Sequence, residues 1–559
     1  MTVLQKLLLC GLFVWIGFSI LYPNPYGNNP DIIWDESYFL TSSLSALEHH
    51  TLPGWDFPLS GTYYGGPQTY LDTAVLVPVV GIVVASSHFS LTEAKVWIAQ
   101  HTGEILHILR LVNGAAALLS ILFLFFYFKK REVPRELALT LTLFLFLLLS
   151  NVLVFEFLHT AKMWALYIVI VAITSAFFIA QEYYTAHFDQ AFLSKKTYVA
   201  LLVWSAVLTF FQSYFGVFTI GLLILYALAL QHIHLGDIIA YVRRRWYLIG
   251  LFALTQISFL YQAYRIRGAL ADASTRLADG SIDWWARLTK PVLFTIESQP
   301  LVVLYVVGVL VLLFFALYKG SSRVSPRTRM YIAIAAAHPI LSYLIFQVGL
   351  GFDILPRYGI MLTVAFCFSI AILMSALGLR ATLGALALGG LLFALISAHG
   401  IALYWQPSSE TVLVQTIEAK YNSPENIFIT DHSARRMTLP VNAASLLLLD
   451  EKRQHMSRFA FLLQNRMSLP PSEFKAITFT AYADEEQADV IARLATPTNS
   501  VWVITRNCSN LCSEDESRAG TCFSVNTSAC GIEPQEVNTL PVFLGAQQLG
   551  YSYIVRRVR

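Results

Sequence analysis

Residues 110–149 read "RLVNGAAALLSILFLFFYFKKREVPRELALTLTLFLFLLL". Two apolar runs of membrane-spanning length flank a short basic turn, KKREVPR, at 129–135. A helix of a soluble core carries apolar residues along one stripe only, whereas these runs are apolar on every face. The paired runs therefore predict two transmembrane helices joined on the cytoplasmic side, where Lys and Arg concentrate.

The same pattern recurs outward from this stretch. Eleven runs of spanning length fall near 3–22, 105–128, 136–155, 162–181, 197–214, 216–232, 246–263, 299–318, 330–348, 359–378 and 381–403. Charged residues make up 13% of the 559-residue chain, well below the roughly 25% of soluble domains. The class expected is an α-helical polytopic membrane protein. The first run has no small-residue cleavage site after it, so it reads as a retained span. The net charge of +3 gives no reason to expect a nucleic-acid partner.

Starting from a cytoplasmic N-terminus, alternation puts KKREVPR (129–135), SKK (194–196), YVRRR (241–245) and KGSSRVSPRTR (319–329) in inside loops. The loop at 264–298 is an exception, since it is basic but assigned outside. The run at 73–88, with Pro78 and Gly81 inside it, is short for a span and reads as a re-entrant or interfacial segment. Counting it as a crossing would move the basic clusters outside.

The texture changes after Trp405. The first 404 residues form the membrane domain, with a first outer loop at 23–104, and 405–559 read as an extracytoplasmic α/β domain. NIFIT (426–430), AITFTAY (476–482) and SVWVITR (500–506) predict strands; 444–464 and 484–495 predict helices. Cys508, Cys512, Cys522 and Cys530 crowd into this domain. They suggest two disulfides in an oxidising compartment, with zinc as the rival. Disulfides agree with the sidedness set by the Lys and Arg clusters, and with an inner-membrane, multi-pass protein whose C-terminal domain is periplasmic.

Polar residues with chemical potential gather on the outer side. Asp35 and Glu36 open the first outer loop, and Tyr63 and Tyr64 lie in a Tyr-Gly-Pro stretch. Arg110 sits at the mouth of the second span, and Glu156, His159 and Lys162 lie between the third and fourth. Arg357 and Tyr358 precede the tenth. Taken singly, the acids read as a solvated boundary, the cations as snorkelling anchors and the tyrosines as an aromatic belt. Together they form a face suited to an anionic lipid headgroup, with cations on phosphate and a carboxylate aimed at a hydroxyl.

On the stretches WDESYFL, YYGGPQTYL, RLVNGAA, HTAKMWAL and LPRYGIML, the first 380 residues resemble the GT-C superfamily of integral-membrane glycosyltransferases. The likeness is to the branch of dolichyl-phosphate-mannose–protein mannosyltransferases and aminoarabinose transferases. Departures are Lys162 where arginine is usual, and Gly66-Pro67-Gln68 where Pro-Pro-Leu is frequent. The resemblance implies transfer of a sugar from a polyprenyl-phosphate donor to a glycan, lipid or protein hydroxyl, with inversion. It implies Asp35 as general base with Glu36 beside it, and Arg357, then Arg110 and Lys162, on the leaving phosphate. Tyr63 and Tyr64 would line the sugar or acceptor site, and no metal or other cofactor is required. The rivals are a polytopic transporter, a lipid-diphosphate-dependent glycan polymerase or ligase, and a scaffold acting through its C-terminal domain.

Overall fold

The computed structural model describes residues 36–54, 65–88, 90–100, 102–149, 154, 157–158, 161, 163–264, 285, 326–345, 359–377, 382–387, 426–430, 500–506, 515, 522–525 and 553–557. Its main helices are α1 (Glu36–Glu48), α2 (Gly66–Ser86), α3 (Leu91–Gln100), α4 (Thr102–Lys130), α5 (Arg135–Leu149) and α6 (Met163–Phe188). They continue with α7 (Lys195–Gln212), α8 (Val217–Ala229), α9 (Leu235–Thr255), α10 (Pro326–Tyr343) and α11 (Gly359–Leu377).

Three segments among the described residues are long and apolar enough to cross a membrane: Gly66–Ser86, Ile105–Lys130 and Met163–Phe188. The shorter apolar helices Tyr214–Ala229 and Ile360–Met374 coincide with two further predicted runs. The runs at 3–22 and 299–318 lie outside the described residues, as does most of 381–403.

The core is built around α6, which packs against α4, α5, α7, α8 and α11. Its apolar character on every face suits this central place. Phe178 of α6 meets Phe368 of α11 edge-on at 5.7 Å. Leu137 and Leu139–Leu149 of α5 are buried without a break. The peripheral helices turn apolar side chains outward, among them Val77 and Ile82 of α2 and Leu119, Phe123 and Phe126 of α4. Outward apolar faces on spanning helices are what contact with lipid requires.

The basic turn behaves as the sequence predicts. Lys129 and Lys130 close α4, and Arg135 opens α5. Arg131 lies over the Tyr127 ring, 5.6 Å from its centre. Glu136, in the first turn of α5, accepts a 2.9 Å hydrogen bond from the Tyr183 hydroxyl of α6. This contact ties the hairpin to the central helix.

Two segments differ from expectation. The run at 73–88 is the larger part of a 21-residue helix, because Gly66–Asp72 joins it. Pro67 in the first turn lacks only an N–H that has no helical partner there anyway. At about 1.5 Å per residue, α2 is roughly 31 Å long, so shortness no longer separates it from a span. Second, YVRRR is helical. The basic residues lie inside α9, which starts at a capping box between His234 and Asp237 and has no buried residue. Charged residues with good helix propensity extend the helix toward the N-terminus beyond the apolar run at 246–263.

In the C-terminal region, β1 (Asn426–Thr430), β2 (Ser500–Arg506), β3 (Cys522–Val525) and β4 (Tyr553–Arg557) form a sheet ordered β1-β2-β4-β3. NIFIT and SVWVITR are β1 and β2, paired parallel with Ile427 opposite Val501. β4 pairs antiparallel with both β2 and β3. A parallel pair requires a crossover between its strands. The predicted helices at 444–464 and 484–495 and the strand at 476–482 fall in that interval, outside the described residues.

Candidate functional site

The site grows from the glycine pair of YYGGPQTYLD. Gly65 has φ of 73°, the left-handed conformation that glycine adopts freely. A Cβ there would stand 2.4 Å from the Phe39 ring, and one on Gly66 would stand 1.8 Å from Gln256 Oε1. Both glycines let the start of α2 lie close against its neighbours. Gln212, the last residue of α7, holds it there. Its backbone carbonyl accepts from the Gly65 N–H at 2.9 Å, and its side-chain oxygen accepts from the Gln68 N–H at 3.0 Å. Its amide nitrogen donates to the Met163 carbonyl at the start of α6, at 2.7 Å.

Gln68 carries the network inward. Its amide nitrogen donates to Asp72 Oδ1 at 2.8 Å and to Asn113 Oδ1 on α4 at 2.9 Å. Ser43 of α1 donates to the Thr69 carbonyl at 3.2 Å. Gln68 and Asp72 are both 0% exposed, and Arg110, one turn before Asn113 on α4, is 4% exposed. A carboxylate, a guanidinium and three carboxamides are thus buried at one end of an apolar bundle. Such groups are costly in a membrane domain and mark functional positions more often than structural ones.

A strap at 255–262 closes the cluster on another side. The Tyr70 hydroxyl donates to the Thr255 carbonyl, and the Tyr214 hydroxyl to the Phe259 carbonyl at 3.2 Å. Ser258 donates to the Pro53 carbonyl at 2.9 Å, and Gln262 to the Gly54 carbonyl at 3.1 Å. Ideal Cβ positions on Gly54 and Gly66 both fall about 3 Å from the Phe259 ring, at 3.0 and 3.1 Å. One phenyl ring therefore anchors both ends of the chain stretch that contains Tyr63 and Tyr64. The Oε1 atoms of Gln68, Gln256 and Gln262 are buried and accept no hydrogen bond from the protein.

The predicted site residues are placed as follows. Glu36 begins α1, and Arg110 is buried on α4 instead of snorkelling to water. Asp35, Tyr63, Tyr64, Glu156, His159, Lys162, Arg357 and Tyr358 lie outside the described residues. So do Cys508, Cys512 and Cys530, whereas Cys522 begins β3. Leu40, one turn after Glu36, and Leu109, next to Arg110, belong to one small apolar cluster that includes Leu76 of α2 and Ala161. Sequence reasoning missed Gln68, Asp72, Asn113, Gln212, Gln256 and Gln262 as site residues. The available signal was spacing: Gln68 and Asp72 are four apart, and Arg110 and Asn113 three apart, each pair on one helical face inside an apolar run.

The opposite end of the bundle carries a different arrangement. The His232 and Glu182 side chains are both buried and joined by a hydrogen bond, with the Tyr198 ring edge-on to the imidazole at 6.4 Å. Nearer solvent, Lys195 binds Asp237 at 2.8 Å. That bond, followed by the His234 backbone N–H, holds the Asp237 carboxyl below its ordinary range. No group of three potential metal ligands occurs among the described residues. Comparison of the chain with protein-family models and with curated proteins finds no match.

Proposed function

We propose that the protein is a membrane glycosyltransferase that moves a sugar from a polyprenyl-phosphate donor to an acceptor hydroxyl at the outer face. The observation that carries this reading is the relation of α1 to Arg110. The helix α1, which begins at Glu36, shares its apolar cluster, through Leu40, with Leu109, and a buried guanidinium follows directly at Arg110. We read Asp35 as the base and Arg110 as a desolvated cation, the two functions that transfer away from a phosphate leaving group needs. The base takes the acceptor proton, and the cation offsets charge on the departing phosphate.

In this reading Asp35 is the base, Glu36 positions it or the acceptor, and Arg110 joins Arg357 and Lys162 around the phosphate. Tyr63, Tyr64, Glu156, His159 and Tyr358 line the sugar and acceptor sides. The C-terminal α/β domain faces the periplasm and meets the acceptor. Asp35→Asn is expected to abolish sugar transfer from a polyprenyl-phosphate-linked hexose while leaving expression and donor binding intact. Full transfer by that variant would remove Asp35 from the mechanism.

A transporter reading draws on one observation, the fully buried Asp72 on a helix long enough to span. It predicts substrate-dependent uptake into proteoliposomes, with no lipid-phosphate product released.

A further inference from the structure

We propose that Gln68 and Gln256 form a carbohydrate-hydroxyl subsite at the start of α2, the proposal taking the identity of its ligand from the glycosyltransferase reading. The starting point is hydrogen-bonding capacity. Gln68 is 0% exposed and spends both hydrogens of its amide, on Asp72 and Asn113, while its Oε1 accepts nothing. Gln256 is 1% exposed; its amide donates to the Thr255 hydroxyl at 3.0 Å, and its Oε1 accepts nothing.

Buried acceptors are nearly always satisfied, so two such oxygens at the first turn of α2, one on it and one packed beside it, call for an outside donor. Gln256 Oε1 lies against the Gly66 backbone, where a Cβ would be 1.8 Å away, and Gln68 is two residues further along α2. Glycine at 66 is what admits that oxygen, since alanine would displace it.

The chemistry of the acceptors selects the ligand class. Both are neutral carboxamide oxygens, suited to neutral O–H donors; an ammonium would call for paired carboxylates. The surrounding network fixes the direction of the Gln68 oxygen through its amide bonds to Asp72 and Asn113, and the Gln256 amide is held on the Thr255 hydroxyl. Oxygens held in place before binding discriminate strongly between a ligand that carries the hydroxyl and one that lacks it.

The test uses the full chain in lipid nanodiscs and three probes: undecaprenyl phosphate, undecaprenyl-phosphate-glucose and methyl glucoside. Gln256→Met keeps the side-chain length and removes the acceptor; Gln256→Asn, which withdraws the oxygen by one methylene, is the second variant. Both are expected to weaken the two glucose-bearing probes by about fivefold to tenfold, the worth of one hydrogen bond. Affinity for bare undecaprenyl phosphate should stay unchanged, which also reports an intact fold. Equal loss for all three probes, unchanged affinity for all, or no glucoside binding by the unaltered protein would overturn the subsite. Glucoside binding that responds to the variants, with neither lipid probe bound, would sink the glycosyltransferase reading and leave the subsite standing.

Discussion

Gln212 and Gln68 are 144 residues apart in sequence, yet the Gln212 side-chain oxygen accepts the Gln68 backbone N–H at 3.0 Å. The same carboxamide donates to the Met163 carbonyl at 2.7 Å. One side chain thereby fixes the first turn of α2 against the start of α6, and that turn cannot shift relative to α6 without breaking both bonds.

Replacing Gln212 by leucine should leave a buried N–H and a buried carbonyl unsatisfied. Each such group costs about 1–3 kcal/mol, so a total loss of roughly 2–5 kcal/mol is expected. Gln212→Glu keeps the acceptor for Gln68 but sets a second oxygen against the Met163 carbonyl in a buried place, so it should lose at least as much. Thermal unfolding in detergent, with proteolysis at residues 55–64 as a local readout, checks both; equal stability of all three proteins would contradict the clamp.

Gly65→Ala places a Cβ 2.4 Å from the Phe39 ring on a backbone with φ of 73°. Loss of about 1–3 kcal/mol is expected from the left-handed conformation and the clash together. Phe39→Leu in the same chain should recover the steric part only. A double-mutant cycle in unfolding free energy measures that coupling, and additive losses would show that the two residues do not press on each other.

The Glu182–His232 pair is 4% and 1% exposed at its side chains. Glu182→Leu should cost about 1–3 kcal/mol, because it leaves the buried imidazole without its hydrogen-bond partner. Joint replacement of Glu182 and His232 by leucine should restore most of the loss, since the desolvation cost disappears with both groups. Midpoints of thermal denaturation for the single and double variants decide it.

Asp237 is the place to look for a pH effect. Its carboxyl titrates below the ordinary value of 3.8, chiefly through Lys195 and then through the His234 N–H. A lowered native pKa favours the folded form above the unfolded-state value, and that advantage disappears as pH falls through the native one. Carbon-detected NMR should place the Asp237 midpoint below that of an unstructured aspartate. Lys195→Met should move it back up, and an unmoved midpoint would assign the shift elsewhere.

Among the described residues, the sequence by itself determined the class of several elements whose backbone and side-chain patterns are local. KKREVPR is the turn between two apolar helices, and NIFIT and SVWVITR are strands with the bounds they have in the sheet. The apolar runs at 105–128 and 162–181 coincide with helices long and apolar enough to cross a membrane, because burial or lipid contact on all sides leaves no polar face to confuse the period. Helix ends read less well, as YVRRR shows, because charged residues that suit a loop also suit a helix flank.

The tertiary structure alone decided which polar residues meet. Nothing local in GPQTYLD distinguishes a loop with an exposed amide from a helix start whose Gln68 reaches Asn113, 45 residues on, and Gln212, 144 residues on. Nor does the sequence show that Arg110 is buried, since an arginine at the mouth of a span ordinarily extends to water. Secondary structure follows from near neighbours, whereas a buried polar site follows from the desolvation of distant groups brought together, and only the packed bundle contains that information.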